Sequence, residues 1–227
     1  NKFFWGKRMI KGVIFDMDGV IVDTLDFHNK AFVLLFKEFG VSLTHEDIKR
    51  TYGRTAAENI QYLVKKYRIK KKSTELNSRR DNIFLGLILG KVKPMPGVTS
   101  LIRKLHRNGY ALVIASSSKR AVVVNLLRCV GVFDYFEHIV SAEDVKLGKP
   151  HPDIFLAASK RLGLKPWECI VIEDASTGLK AAKGAGMTAI VIPNTHTRNE
   201  NFYGADLIVN SAKELARVDW TQIQKML

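Results

Sequence analysis

The feature that most restricts the fold is a rhythm. Short, strand-length runs of aliphatic and β-branched residues are spaced by longer amphipathic stretches. The runs are Gly12 to Phe15, Ala111 to Ala115, His138 to Val140, Cys169 to Ile172, Thr188 to Ile192 and Leu207 to Val209. Their nearly continuous apolar character suits strands buried on both faces. Helical periodicity fills Val98 to Arg107, Arg120 to Val130, Asp153 to Leu162 and Thr177 to Ala185, with stops at Asn108-Gly109, Gly131, Gly163 and Gly186. Alternation of this kind predicts an α/β fold, a parallel sheet flanked by helices.

One stretch breaks the rhythm. About ninety-five residues separate the first two strands, against roughly thirty for an ordinary βαβ unit. Leu25 to Phe39, His45 to Tyr52, Ala56 to Tyr67 and Thr74 to Leu89 all read as helix, and Thr44 before Asp47, and Ser73 or Thr74, read as N-caps. The expectation is a core built from residues 9–23 and 93–227 with an all-helical insertion at 24–92.

Composition narrows the class. No segment approaches the roughly eighteen unbroken apolar residues of a membrane span, and the basic, aromatic start Asn1 to Arg8 lacks an apolar signal region, with Met9 a candidate initiator. Cys129 and Cys169 make no disulfide framework. Both read as small core hydrophobes, and a reducing cytoplasm is expected. The net charge of +14 raises nucleic acid as a partner. Its densest run, Lys65 to Lys72, reads instead as the solvated end of a helix. A basic field also attracts small anionic substrates, and nucleic acid ranks below them.

The chemistry collects where strands end. Asp16-Met17-Asp18-Gly19 follows the first strand, Ser116-Ser117-Ser118-Lys119 the second, a loop with Lys149-Pro150 the third, and Glu173-Asp174 the fourth. In an open parallel sheet these carboxyl ends lie along one edge, where ligands bind. Crowded carboxylates repel without a counter-charge, and an oxygen-only set suits Mg²⁺, whereas zinc ligands are missing there. One acidic strand end is commonly just a helix N-cap. Two acidic clusters with a lysine and a serine run are not explained that way.

Asp16-Met17-Asp18-Gly19-Val20, with Ser116, Lys149 and Glu173-Asp174 in order, resembles the motif set of the haloacid-dehalogenase-like phosphatase superfamily. Gly148 to Phe155 is similar to its β-phosphoglucomutase branch in particular. The resemblance implies a Rossmann-like core with a four-helix-type cap, Mg²⁺ as cofactor and a small phosphorylated metabolite as substrate. It implies Asp16 as nucleophile and Asp18 as general acid and base. Ser116, Ser117 and Lys149 would hold the phosphoryl group. Asp16, Asp18 (through its carbonyl), Glu173 and Asp174 would serve the metal, Glu173 either directly or from behind. Ser118 and Lys119 read as a helix N-cap region. A dehalogenase needs neither Asp18 nor the metal acids, and an ATPase pump needs membrane helices.

The cap residues are more ambiguous. His28 matches a histidine that assists acid/base work in the mutases, and equally reads as an ordinary helix histidine. Tyr52 to Glu58 occupies the specificity loop, which nominates Gly53 and Arg54. The mutases carry an arginine where Ala56 stands here. Arg80 lies near a position that holds a distal phosphate, and otherwise reads as a solvated charge beside Arg79. Three functions follow: a sugar-phosphate-type phosphatase, a β-phosphoglucomutase-type mutase, or a basic nucleic-acid-binding protein on a degenerate hydrolase scaffold.

Overall fold

The computed structural model describes residues 9–51, 54–88, 90–220 and 223. It divides into two compact units, one formed by Asp23–Lys93, the other by the chain up to Val22 and from Pro94 onward.

The first unit is helical: α1 (Leu25–Lys37), α2 (His45–Arg50), α3 (Ala56–Lys66) and α4 (Ser73–Ile88). Phe32, Leu35, Phe36, Ile60, Leu63 and Leu76 form its core, each contributing about 1.5–3 kcal/mol by leaving water. Capping boxes start α2 (Thr44 with Asp47) and α3 (Thr55 with Glu58). Asp47 does more than cap. Its buried carboxylate accepts from Lys66 Nζ and Tyr67 Oη, both at 2.5 Å, which ties α2 to the end of α3. The caps expected at Ser73 and Thr74 are corrected, because both residues already lie in the first turn of α4. Tyr52 and Leu89, the expected ends of α2 and α4, lie outside the described residues.

The second unit holds β1 (Gly12–Phe15), β2 (Ala111–Ala115), β3 (His138–Val140), β4 (Cys169–Glu173), β5 (Thr188–Val191) and β6 (Leu207–Ile208). Among the described residues they make one parallel sheet in the order β3-β2-β1-β4-β5-β6. Helices α5 (Val98–Arg107), α6 (Arg120–Cys129), α7 (Asp153–Arg161), α8 (Ser176–Gly184) and α9 (Ala212–Arg217) belong to the same unit. The α/β fold expected from the strand rhythm is borne out. Buried β1 and β4 supply the centre, and Ile14, Val113, Val140, Phe155, Val171, Leu179 and Val191 share one core cluster. Helix α5 buries Val98, Leu101, Ile102 and Leu105, while Lys104 donates to the Ala216 and Val218 carbonyls at 2.9 and 2.8 Å, satisfying the end of α9. Cys169 is buried in β4 as expected. Cys129 is exposed at the last residue of α6, so its reading as a core residue is corrected. Among the described residues no helix is long and apolar enough to cross a membrane.

The strand order decides where ligands go. From β1 the chain winds outward through β2 to β3, then returns to place β4 on the other side of β1. Winding reverses between β1 and β4, and a crevice opens at their carboxyl ends. Phe15 is level with both Ile114 and Ile172. The residues that follow them, Asp16, Ala115 and Glu173, therefore emerge together.

Candidate active site

Asp16 leaves β1 with its backbone N–H still bonded to the Ile172 carbonyl at 3.0 Å. Its side chain is consequently fixed at the β1/β4 reversal and is buried. Lys149 Nζ donates to Asp16 Oδ1 and to Glu173 Oε1, each at 2.5 Å, and to the Ala115 carbonyl at 3.3 Å. The lysine ammonium also lies 5.0 Å from the centre of the Phe155 ring. The Lys149-Pro150 peptide is cis. Glu173 Oε2 accepts from the backbone N–H groups of Asp174 and Ala175 at 3.0 and 3.3 Å, so both Glu173 oxygens are engaged. A Cβ at position 178 would run into that carboxylate, which explains Gly178 in the first turn of α8. Asp174 is held by Asn194, whose Nδ2 donates to Asp174 Oδ2 at 2.6 Å. Gly19 (φ 83°) lies against the same pair, and a side chain there would strike the Asp174 carboxylate.

Asp18, half-buried, accepts from Ser118 Oγ at 3.0 Å. Ser118 is itself fixed, its N–H donating to the buried Ser116 Oγ at 3.1 Å and its carbonyl accepting from Ala142 N–H at 3.1 Å. Ser117, half-buried, lies between the two. The N-cap reading of Ser118 and Lys119 is corrected in part. Lys119 holds the N-cap position of α6 without a side-chain capping bond, and the Ser118 hydroxyl serves Asp18.

The electrostatics follow from burial. Asp16 is raised to about 7, with burial the largest cause; Lys149 pulls against it, and Glu173 and Asp18 add to it. Asp174 is raised well above the usual carboxylate range, chiefly by burial and then by Glu173 and Asp16. Burial alone would lower Lys149, but Asp16 and Glu173 outweigh it and hold the ammonium charged. One lysine thus faces three buried carboxylates, Asp16, Glu173 and Asp174, whose oxygens come within 4.8 Å of one another. The set is short of positive charge and consists of oxygen donors, the chemistry of a hard divalent cation.

In the helical unit, His28 stacks on Phe84 with ring centroids 4.0 Å apart and planes 10° from parallel. Arg80 bonds to His28 Nδ1, pairs with Asp81 at 3.1 Å and lies over the Phe32 and Phe84 rings. Arg80 is only 4% exposed, so its reading as a solvated charge is corrected; that description fits Arg79, which pairs with Glu38 at 2.8 Å. Arg54 is exposed, and Gly53 lies outside the described residues.

Sequence reasoning missed Ser118, Gly178 and Asn194 as site residues. The signal for Asn194 was available, because Asn194 to Thr197 follows β5 and strand ends were the guide elsewhere. Ser118 and Gly178 are recognised only once the fold sets them against Asp18 and Glu173.

Comparison with known proteins agrees with this geometry. The haloacid dehalogenase-like hydrolase family pattern matches residues 13–192. The beta-phosphoglucomutase of Bacillus subtilis (strain 168) is 31% identical over 226 residues, covering 94% of this chain and 96% of that protein. The bifunctional riboflavin kinase/FMN phosphatase of Arabidopsis thaliana is 31% identical over 215 residues, 94% of this chain; this chain spans only 56% of that protein. The crystal structure of CbbY from Rhodobacter sphaeroides in complex with phosphate superposes with a TM-score of 0.83 at 30% identity, covering 91% of this chain and 96% of that one. With its strand order, its buried acids and lysine, and these relatives all in agreement, the chain belongs to the haloacid dehalogenase-like hydrolase family.

Proposed function

We propose that this chain is a Mg²⁺-dependent phosphatase of small phosphomonoesters, of the sugar-phosphate kind, working in a reducing cytoplasm through an aspartyl-phosphate on Asp16. The observation that carries the reading is the buried Asp16 gripped by Lys149 beside Asp174, with Asp18 held by Ser118 two residues away. Asp16 attacks phosphorus as the bond to the leaving alcohol breaks, and Asp18 gives that oxygen its proton. Asp18 then takes a proton from the water whose oxygen attacks the phospho-aspartate, releasing phosphate and restoring Asp16. Ser116, Ser117 and Lys149 hold the phosphoryl oxygens through this exchange.

Asp16 and Asp174 are the carboxylates assigned to Mg²⁺, joined by the Asp18 carbonyl on the resemblance. Glu173, with both oxygens engaged, is assigned to holding Lys149 rather than to direct ligation. When bound, the ion neutralises the crowded acids and the transferring phosphoryl charge. Substrate choice is assigned to the helical unit, with His28, Gly53 and Arg54 as candidates. Arg80, buried against His28, is assigned to supporting that ring.

The second reading, a mutase, draws on the beta-phosphoglucomutase relative. Against it, Ala56 stands where the mutases carry an arginine, in the capped first turn of α3. Phosphate release from a panel of sugar phosphates, with and without Mg²⁺, tests the phosphatase. Conversion of β-glucose 1-phosphate to glucose 6-phosphate faster than phosphate release would assign the mutase. DNA binding that survives chelation, with no turnover, would instead assign the nucleic-acid reading.

A further inference from the structure

We propose that Asn194 sets the metal selectivity of this site, by limiting Asp174 to one available oxygen and so favouring Mg²⁺ over Ca²⁺. The inference rests on the metal reading given under Proposed function and goes beyond it.

Each acid assigned to the ion already has one oxygen committed. Lys149 holds Asp16 Oδ1 at 2.5 Å, and Asn194 Nδ2 holds Asp174 Oδ2 at 2.6 Å. A carboxylate oxygen tied in this way has a lone pair spent and its orientation set by its partner, so chelation through both oxygens is disfavoured. Mg²⁺ takes six oxygens in a tight octahedron and is content with one from each carboxylate. Ca²⁺ is larger, takes six to eight, and commonly uses carboxylates through both oxygens. Binding the second oxygen therefore penalises Ca²⁺ more than Mg²⁺.

The Asn194 amide is well held for this task. Its Oδ1 accepts from the backbone N–H groups of His196 and Thr197 at 2.9 and 3.3 Å, which leaves the NH₂ end to face Asp174. Its own backbone N–H donates to Thr197 Oγ1 at 3.1 Å, and its carbonyl accepts from Arg198 N–H at 3.0 Å. Of the two clamping residues, Lys149 also serves the phosphoryl group. Asn194 is the one whose effect on the metal can be separated.

The test is calorimetric titration of the metal-free full chain with MgCl₂ and with CaCl₂, which needs no turnover. Asn194→Ala is expected to weaken Mg²⁺ binding by about tenfold, as loss of a metal ligand's partner commonly does. Ca²⁺ is spared because it gains the second oxygen, so the Mg²⁺ preference narrows by about tenfold. Asn194→Ser, which keeps a hydroxyl for the loop, is expected to behave alike and serves if the alanine variant folds poorly. Thr197→Val loosens the same loop without touching the amide–carboxylate bond, and should leave the ratio within twofold of the parent. An unchanged ratio in both Asn194 variants overturns the proposal, as does an equal shift in Thr197→Val. If the parent chain binds neither ion, the metal reading fails and this inference with it.

Discussion

At the residue scale the site is a balance of buried charges, and its sensitivity follows from that. Asp16→Asn keeps the shape and removes the proposed nucleophile, so phosphate release should fall by roughly three orders of magnitude or more. Retained turnover in that variant would remove Asp16 from its role. Gly178→Ala is a quieter test of the same cluster. The added methyl meets the Glu173 carboxylate, and overpacking of this kind costs about 1–3 kcal/mol. A drop in denaturation midpoint together with lower activity is expected, because displacing Glu173 also displaces Lys149. Asp16, Asp18, Lys149 and Glu173-Asp174 could be read as a candidate site in the sequence because two acidic clusters and a lysine fall at the carboxyl ends of separate strands, which lie along one edge of a parallel sheet. Ser118 and Gly178 could not: a serine and a glycine acquire meaning only from the carboxylates the fold sets against them, whereas Asn194 could have been read from its place after β5.

At the scale of elements, helix starts and stops were read well where capping chemistry is local. Thr44 with Asp47 was found that way, while Ser73 and Thr74 misled because polar residues also suit a first helical turn. The part of Asp47 that no local rule reveals is its reach to Lys66 and Tyr67. Burial opposes the ionised form, but bonds from Lys66, Tyr67 and Thr44 outweigh it and hold the carboxyl well below its usual range. Its stabilisation is therefore complete above the ordinary carboxylate value and is lost as pH falls below about 4 toward the depressed one. Asp47→Asn should cost about 2 kcal/mol at neutral pH, with the difference from the parent shrinking in acid; circular dichroism melts across pH would record it. Thr55→Ala removes a cap from α3 and should cost about 1 kcal/mol.

At the scale of the whole molecule, the parallel sheet was readable because its strands are buried on both faces, and the insertion because it interrupts a regular rhythm. The strand order was not readable, since pairing depends on register between distant segments. Chelation offers a global test of the metal reading. A ligand held at about a hundredfold above its dissociation constant adds roughly 2.7 kcal/mol to stability. Thermal melts should therefore rise on adding Mg²⁺, and EDTA should reverse the gain.

The pairing of β1 has one further consequence, for how this chain is made. Gly12 pairs with Ala111 on one side and with Cys169 on the other. On the ribosome the strand that leads into Asp16 emerges before both of its partners, and it has no neighbour on its second side until β4 has been translated. The helical unit, formed by Asp23–Lys93, is complete long before β4 and can fold during that wait. Enzyme competence is thus a late event in biosynthesis, and nascent chains arrested before β4 should contain folded helix but no activity.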